Sequence, residues 1–488
     1  MPRPKIAVAA LPPWYPPAFE KLTEDLQAPV AFPPEVLAAA ERAGAADGGA
    51  RADRRDIELV TLDPESSQDL DQAFAIEIRG SGFRLHYAIA DVAAFVRAGD
   101  PVDVESQRRV ETRYAPDRRL PLHPPELSEG AASLLPDVDR PAVLWTLDLD
   151  DAGELVETRV ERALVRSRAK LAYDAVQEQV DAGVAAPGIE RLRTLGELRL
   201  AAERRRGGVS LPLPEQVVDV ANGDGWRLRA RLQTPVETWN AQLSLLTGTA
   251  AARLMLDAGI GVLRTLPPPA DDAVAELRRR AHALGFEWPA GQPYPEFVRA
   301  IDPSAPRAPA MLRACTTLFR GAGYVAFDAA AGVGAPADAE HAAIAAPYTH
   351  VTAPLRRLAD RYAAEVCLAV CADAEVPEWV RAALPGLPER MREGGRAVNS
   401  FSAEVLNLVE AGLLAQRVGE TFGGTVVATN NDRTAGTLVV ADPYVEAKVE
   451  GPGLPLGEPV DARLVTADPM TRQIRFAVAS SASAVDKG

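Results

Sequence analysis

The sequence predicts an α+β chain: a mixed sheet in the first half, a long helical portion behind it, and a small closed β-barrel of the OB type at the C-terminal end. Three observations carry this. From Asp56 apolar residues alternate at strand period in "IELVTL", "AFAIEIRG" and "FRLHYAIADVAAFV". Between about 235 and 415 the pattern is largely helical, broken by Pro/Gly segments near 267, 288, 303 and 336. From Val418 five short strand-like runs follow within about 60 residues, the number a small barrel needs to close its edges.

In chain order, residues 1–54 are rich in Pro and Ala, with one helix in "PPEVLAAAERAGA" and a linker in "ADGGARADRRD". Residues 55–380 form the main domain; "SG" at 81–82 reads as a hairpin turn, and 186–206 as a basic helix. A helical connection over 381–416 leads to the barrel at 417–479, and "SSASAVDKG" at 480–488 reads as a disordered tail.

At 488 residues the chain can bury a sizeable core, and its 47% hydrophobic and 25% charged composition is that of a globular protein. No apolar run approaches the roughly 20 residues of a membrane span. "PPWYPP" interrupts "IAVAAL" too early for a leader, so a cytoplasmic location is expected. Three cysteines suit a reducing compartment; Cys367 and Cys371, one helical turn apart with no second ligand pair, read as buried structural residues. A net charge of −15 argues against a generic nucleic-acid binder, yet leaves room for a local basic channel.

Chemistry concentrates in "TLDPESSQDLDQAF", where Asp63, Glu65, Asp69 and Asp71 crowd four carboxylates into nine residues. In an extended segment Asp69 and Asp71 share a face, and a loop opened by Pro64 returns Asp63 to it. Three converging carboxylates are costly without a cation, and hard oxygen ligands select magnesium or manganese. A calcium loop fails, because the sixth position is Gln68 rather than Gly and the twelfth Phe74 rather than Glu. On these residues alone a solvated acidic loop remains open.

"TLDPESSQDLDQAFAI" followed by "LHYAIADVAAFV" resembles the signature of the ribonuclease II family, whose catalytic RNB domain opens with Asp-Pro, a spacer and Asp-Leu-Asp-Asp-Ala. The likeness continues in order through "RYAPDRRLPLHPPELSEGAASLLPDVDRPAV", "VRSRAKLAYDAVQ", "RRRGGVSLPLPEQVV", "PVETWNAQLSLLTGTAAARLM" and "YTHVTAPLRRLADRY". It covers roughly residues 55 to 415, and the terminal barrel is similar to the family's S1-type RNA-binding domain.

The resemblance implies an RNB fold, a mixed sheet among helices around a channel, and a processive exonuclease. Such an enzyme hydrolyses single-stranded RNA from its 3′ end to nucleoside 5′-monophosphates, with magnesium as cofactor (manganese the alternative) and a monomer as the working unit. It assigns the metal to Asp63, Asp69, Asp71 and Gln72, phosphate contact to Arg356, and an active-site phenol to Tyr173. It assigns RNA stacking to Tyr114 and RNA contacts to Glu237 and Glu404. A guanidinium suits Arg356's role because it stays charged and presents a planar fork. The bland alternatives are packing for Tyr173 and a helix-capping ion pair for Arg356, with Arg357 and Asp360 as another pair for that purpose. His350 reads as a structural hydrogen-bonder.

Departures matter. Gln72 stands where the family usually has a second consecutive Asp; it brings no charge, which implies weaker magnesium affinity or a compensating carboxylate, Glu65 being the local candidate. Lost or feeble catalysis in an RNA-binding protein of this fold is the alternative function. About 54 leading residues are too few for the paired cold-shock barrels of well-known members, so a short form is expected. The barrel region carries five basic against eight acidic residues, a poor surface for RNA, and of Phe422, Tyr444 and Phe476 at least two are expected in its core. Grip on RNA is therefore expected from the channel, through arginines of "RRLADR" and of 202–206.

Overall fold

The structure, a computed structural model, describes residues 11–43, 50–221, 225–303, 305 and 307–478; the 480–488 tail lies outside them. Its centre is a six-stranded mixed sheet. The 18-residue strand Leu155–Ala172 pairs antiparallel with Asp139–Leu149 over its first part and parallel with Leu59–Asp63 over its last. Between them Gln72–Arg79 and Gly82–Ala90 form a hairpin, so the sheet curls until it meets itself. The hairpin turn falls on Gly80–Ser81, one residue earlier than expected, because Gly80 takes the positive φ of +60°.

Both faces of this sheet are covered, so its alternation is large/small rather than apolar/polar. Phe74, Ile76, Leu85 and Tyr87 join a core with the Pro235–Ala258 and Leu358–Cys371 helices. Ala73, Ala88 and Ala90 face Val92, Phe95, Leu127 and the Pro34–Arg42 helix. Within the helical portion an antiparallel pair, Ile260–Thr265 with Gly323–Asp328, escaped the sequence reading. Gly248 lets "YTHVTAP" run against the Pro235–Ala258 helix: a Cβ there would lie 2.5 Å from the Thr349 carbonyl oxygen.

The N-terminal region differs from expectation. Besides Pro34–Arg42 there is a helix at Tyr15–Asp25, begun by the prolines that looked like an interruption. Proline is tolerated in a first helical turn, whose N–H groups have no intrahelical partner. Tyr15, Ala18, Phe19 and Leu22 bury one face of it. The expected boundary at residue 54 also moves, since Ala52–Asp53 already pairs with Ala163–Leu164.

Leu387–Leu414, a 28-residue helix, leads to the closed five-stranded barrel over 421–477. Phe422 and Phe476 pack edge-to-face in the barrel core, as composition suggested, so they offer no stacking platform. Cys367 is buried as expected, but Cys371 is exposed at its helix end. Among the described residues no helix is long and apolar enough to cross a membrane.

Candidate active site

Asp63 ends the first sheet strand, and Ala172, directly beside it in the parallel pairing, precedes Tyr173 at the first turn of the Tyr173–Asp181 helix. Asp69 and Asp71 lie not in a strand but in the loop before Gln72. That loop is held from both sides. Ser133 donates to the Gln68 carbonyl at 2.6 Å and accepts from Leu70 N–H at 3.0 Å, Leu134 N–H donates to Leu70 O, and Ala90 N–H donates to Asp71 O. Asp63, Asp69 and Asp71 are all buried, at 6%, 3% and 0% exposure. A merely solvated acidic loop is thereby excluded. Glu65 is exposed and does not join them, so the compensating carboxylate expected from sequence is corrected.

Positive charge comes from distant motifs. Asp71 accepts Leu355 N–H at 2.8 Å and Arg356 Nε–H at 3.2 Å, joining the acidic stretch to "TAPLRR" across nearly 300 residues. Arg356 is therefore not the helix-capping arginine. Arg357 takes that part, with a two-pronged pair to Asp360, which also accepts Ala353 N–H. Asp69 accepts from Arg119 at 2.6 Å. Arg119 sits opposite Tyr114 in a two-residue hairpin, so the expected stacking aromatic and the Asp69 partner share one ladder rung. The hairpin is tied to the Arg356 segment by Thr112 N–H to Arg356 O, and by Leu358 N–H to Val110 O.

Tyr87 completes the cluster. Its buried phenol bonds Ser244 at 2.8 Å and is held well above the usual tyrosine range, first by burial and then by the fields of Tyr173, Asp63 and Asp71. Asn240 donates to the Tyr173 hydroxyl at 2.8 Å, while the Tyr173 ring packs against the core. Gln72 turns its amide N–H to the Thr352 carbonyl, leaving its own carbonyl oxygen as the end Thr352 does not hold. His350 bonds Tyr324 through Nδ1, and burial, then Arg357, hold it neutral, the structural role expected of it.

Other expected residues have partners of their own. Among the described residues no group of three or more His, Cys, Asp or Glu side chains is disposed to hold a metal ion. Two of the aspartates are turned to guanidiniums instead. Glu237 caps the Pro235–Ala258 helix in a reciprocal box with Thr234 and is clamped by Arg231 at 2.6 and 2.7 Å. Glu404 binds Arg472 of the barrel. Each thus has a protein partner at the position for which an RNA contact is expected. Of the channel arginines, Arg361 is buried on Asp103 and Val96 O and so is not available for the grip expected of it, whereas Arg205 pairs with Glu154 at the exposed surface. The sequence reading missed Arg119, Ser133, Tyr87, Asn240 and Thr352. Only "TPVE", a capping-box pattern at Glu237, carried a local signal.

Comparisons with known proteins supply the family. The RNB domain matches residues 51–372, and the RNase II-type exonuclease C-terminal S1 domain matches residues 420–479. Ribonuclease R of Escherichia coli is 31% identical over 326 residues, which is 64% of this chain and 39% of that protein. The chain thus spans less than half the length of this relative. Mycoplasma genitalium RNase R in complex with ribose methylated single-stranded RNA superposes with a TM-score of 0.82 at 17% identity, covering 94% of this chain and 77% of that one. Yeast Ssd1, described as a pseudonuclease, superposes at 0.65 with 15% identity, covering 82% and 50%. With matched domains covering the catalytic core and the barrel, the chain belongs to the ribonuclease II family, an RNB domain followed by an RNase II-type S1 domain.

Proposed function

We propose that the protein is a magnesium-dependent exoribonuclease that degrades single-stranded RNA from its 3′ end to nucleoside 5′-monophosphates, working as a monomer in the cytoplasm. The observation that carries this is Asp71: fully buried, and bonded to Leu355 N–H and to the Arg356 guanidinium of a motif nearly 300 residues away. The family match and the relatives named Ribonuclease R support the same reading.

The donor set fits a hard divalent cation in its chemistry, being all oxygen: the carboxylates of Asp63, Asp69 and Asp71 and the Gln72 carbonyl. Such an ion supplies an activated water and charge neutralisation at the scissile phosphate. Arg356 reaches the same carboxylate through Nε, so its outer nitrogens are the ones to offer a phosphodiester. Tyr173, whose hydroxyl accepts from Asn240, keeps its own proton to donate to a phosphate oxygen. Tyr114, across the rung from Arg119, gives a sequence-tolerant stacking face worth about 1–3 kcal/mol per base.

One experiment tests both reaction and polarity: RNA labelled at its 5′ or its 3′ end, incubated with magnesium or with EDTA. Immediate EDTA-sensitive release of the 3′ label as mononucleotide, with a shrinking 5′-labelled ladder, is the expected result. Tight binding without product would instead establish an RNA-binding protein of this fold. The neutral Gln72 is the feature from which that second reading arises.

A further inference from the structure

A cavity of 480 Å³ opens where the Pro101–Arg109 helix ends against Leu387–Leu414, and none of Asp63, Asp69, Asp71, Tyr173 and Arg356 lines it. Arg113 lines it. This side chain is 93% buried by its 7% exposure, yet it has no hydrogen bond or ion pair among the described residues, and its Nε is sealed from solvent without an acceptor. Its nearest aromatic, Phe401, is 5.9 Å from the guanidinium carbon. Burial, then the field of Arg108, pull its pKa down, and no acid offsets them.

A buried, unpaired guanidinium is expensive, and natural structures tolerate one where a ligand supplies the missing charge. The surroundings fit an anion. Arg108 stands at the rim, held by Glu105 at 2.6 and 2.8 Å, and Arg390 reaches over from the long helix to Gln107. Glu389 and Glu393 also line the space, but Glu389 is committed to Arg392 and neither comes within ion-pair reach of Arg113. The floor is strained: Val110, buried and β-branched, sits at φ +66°. Such strain of about 1–3 kcal/mol gathers at ligand sites. Successive strand residues face opposite ways, so Arg113 points away from the side on which Tyr114 lies.

We propose that this cavity is a second phosphate-binding site, in which Arg113, Arg108 and Arg390 take the phosphate group of an RNA backbone or of a free nucleotide. It goes beyond the exonuclease reading and does not require hydrolysis.

The test is calorimetric titration of inorganic phosphate and of adenosine 5′-monophosphate, at low salt without divalent cations, into wild type, Arg356→Gln, Arg113→Gln and Arg390→Gln. Arg356→Gln should keep a phosphate site, while Arg113→Gln should weaken it at least about tenfold, the value of one charge-assisted bond. Arg390→Gln, a change at the cavity rim, carries the test if Arg113→Gln fails to fold. Anisotropy of labelled single-stranded RNA over a salt series separates the sources. If the cavity holds an RNA phosphate, the variant's slope of log K against log salt is shallower by about 0.7. An unchanged slope with lost nucleotide binding assigns the site to free nucleotide. Wild-type affinity for phosphate, nucleotide and RNA in both cavity variants overturns the proposal. Absence of hydrolysis by wild type would sink the exonuclease reading and leave this one standing.

Discussion

Removing one hydroxyl, Tyr15→Phe, should loosen the Tyr114 hairpin from a distance. Tyr15 lies at 0% exposure on the N-terminal helix and donates to Asp117 Oδ1 at 2.7 Å. Asp117 sits at the tip of the hairpin whose two rungs are Arg113–Leu120 and Tyr114–Arg119. The ring itself would stay, tilted on Trp226 at 4.6 Å and stacked on Phe19 at 5.4 Å, so packing is conserved and the bond alone is lost. A hydrogen bond to a charged acceptor contributes about 1.5–3 kcal/mol. Arg118 still holds the other oxygen of Asp117 at 2.7 Å, so the lower end, about 1.5 kcal/mol, applies. Burial holds the Tyr15 phenol far above its ordinary pKa, so the donor persists at any working pH and the effect should not vary with it. About 1.4 kcal/mol is tenfold in an equilibrium, so the ordered hairpin should open roughly ten times more often. The assay is hydrogen exchange at Ala115, whose N–H bonds Arg118 O at 2.8 Å, together with kcat/KM on single-stranded RNA. Faster exchange and a fall of up to about tenfold are expected. Unchanged protection at Ala115 in a variant that nonetheless loses stability would refute the idea that this helix braces the hairpin.

Three further outcomes follow from the same geometry. Asp71→Asn should abolish turnover but leave RNA affinity largely intact by filter binding; its amide matches only one of the two N–H donors it faces, so a loss of about 1–3 kcal/mol in denaturant unfolding should accompany it. Gln72→Asp should set a carboxylate against the Thr352 carbonyl, lowering thermal stability in EDTA, and magnesium should restore it by more than it stabilises wild type. Burial raises the Glu410 carboxyl from 4.5 to about 7 where Gln216 and Glu446 N–H meet it between the long helix and the barrel. The folded state then holds this proton more tightly, so stability is full below about pH 4.5 and is lost as pH rises through 7, by on the order of 3 kcal/mol. Glu410→Gln should flatten that slope in unfolding curves.

Legibility in the sequence followed the physical range of each signal. The barrel was readable because five alternating runs and their turns are local. The Tyr15–Asp25 helix was missed because prolines read as breakers, although at a first turn they break nothing. The acidic stretch announced chemistry, but its partners did not: Arg119 and Arg356 lie 50 and 285 positions away. Motif order brought Arg356 forward, whereas Arg119, one of several arginines in "RYAPDRRLP", had nothing local to single it out. Glu237 and Glu404 show the same limit from the other side. Position suggested RNA, while the bidentate Arg231 clamp and the Arg472 pair are tertiary facts.

The neutral residue at 72 becomes intelligible once the charges are placed. Asp63, Asp69 and Asp71 bring three carboxylates into a buried site, and Arg119 and Arg356 bring guanidiniums to two of them. A carboxylate at 72 would add negative charge there and face the Thr352 carbonyl, with desolvation costing several kcal/mol per uncompensated ion. Gln72 donates to that carbonyl instead, so the segment bearing Leu355 and Arg356 is drawn toward the aspartates by a neutral bond as well as an ionic one. The substitution thus exchanges charge available to a cation for cohesion between two motifs, and the site it leaves is one that folds on its own arginines.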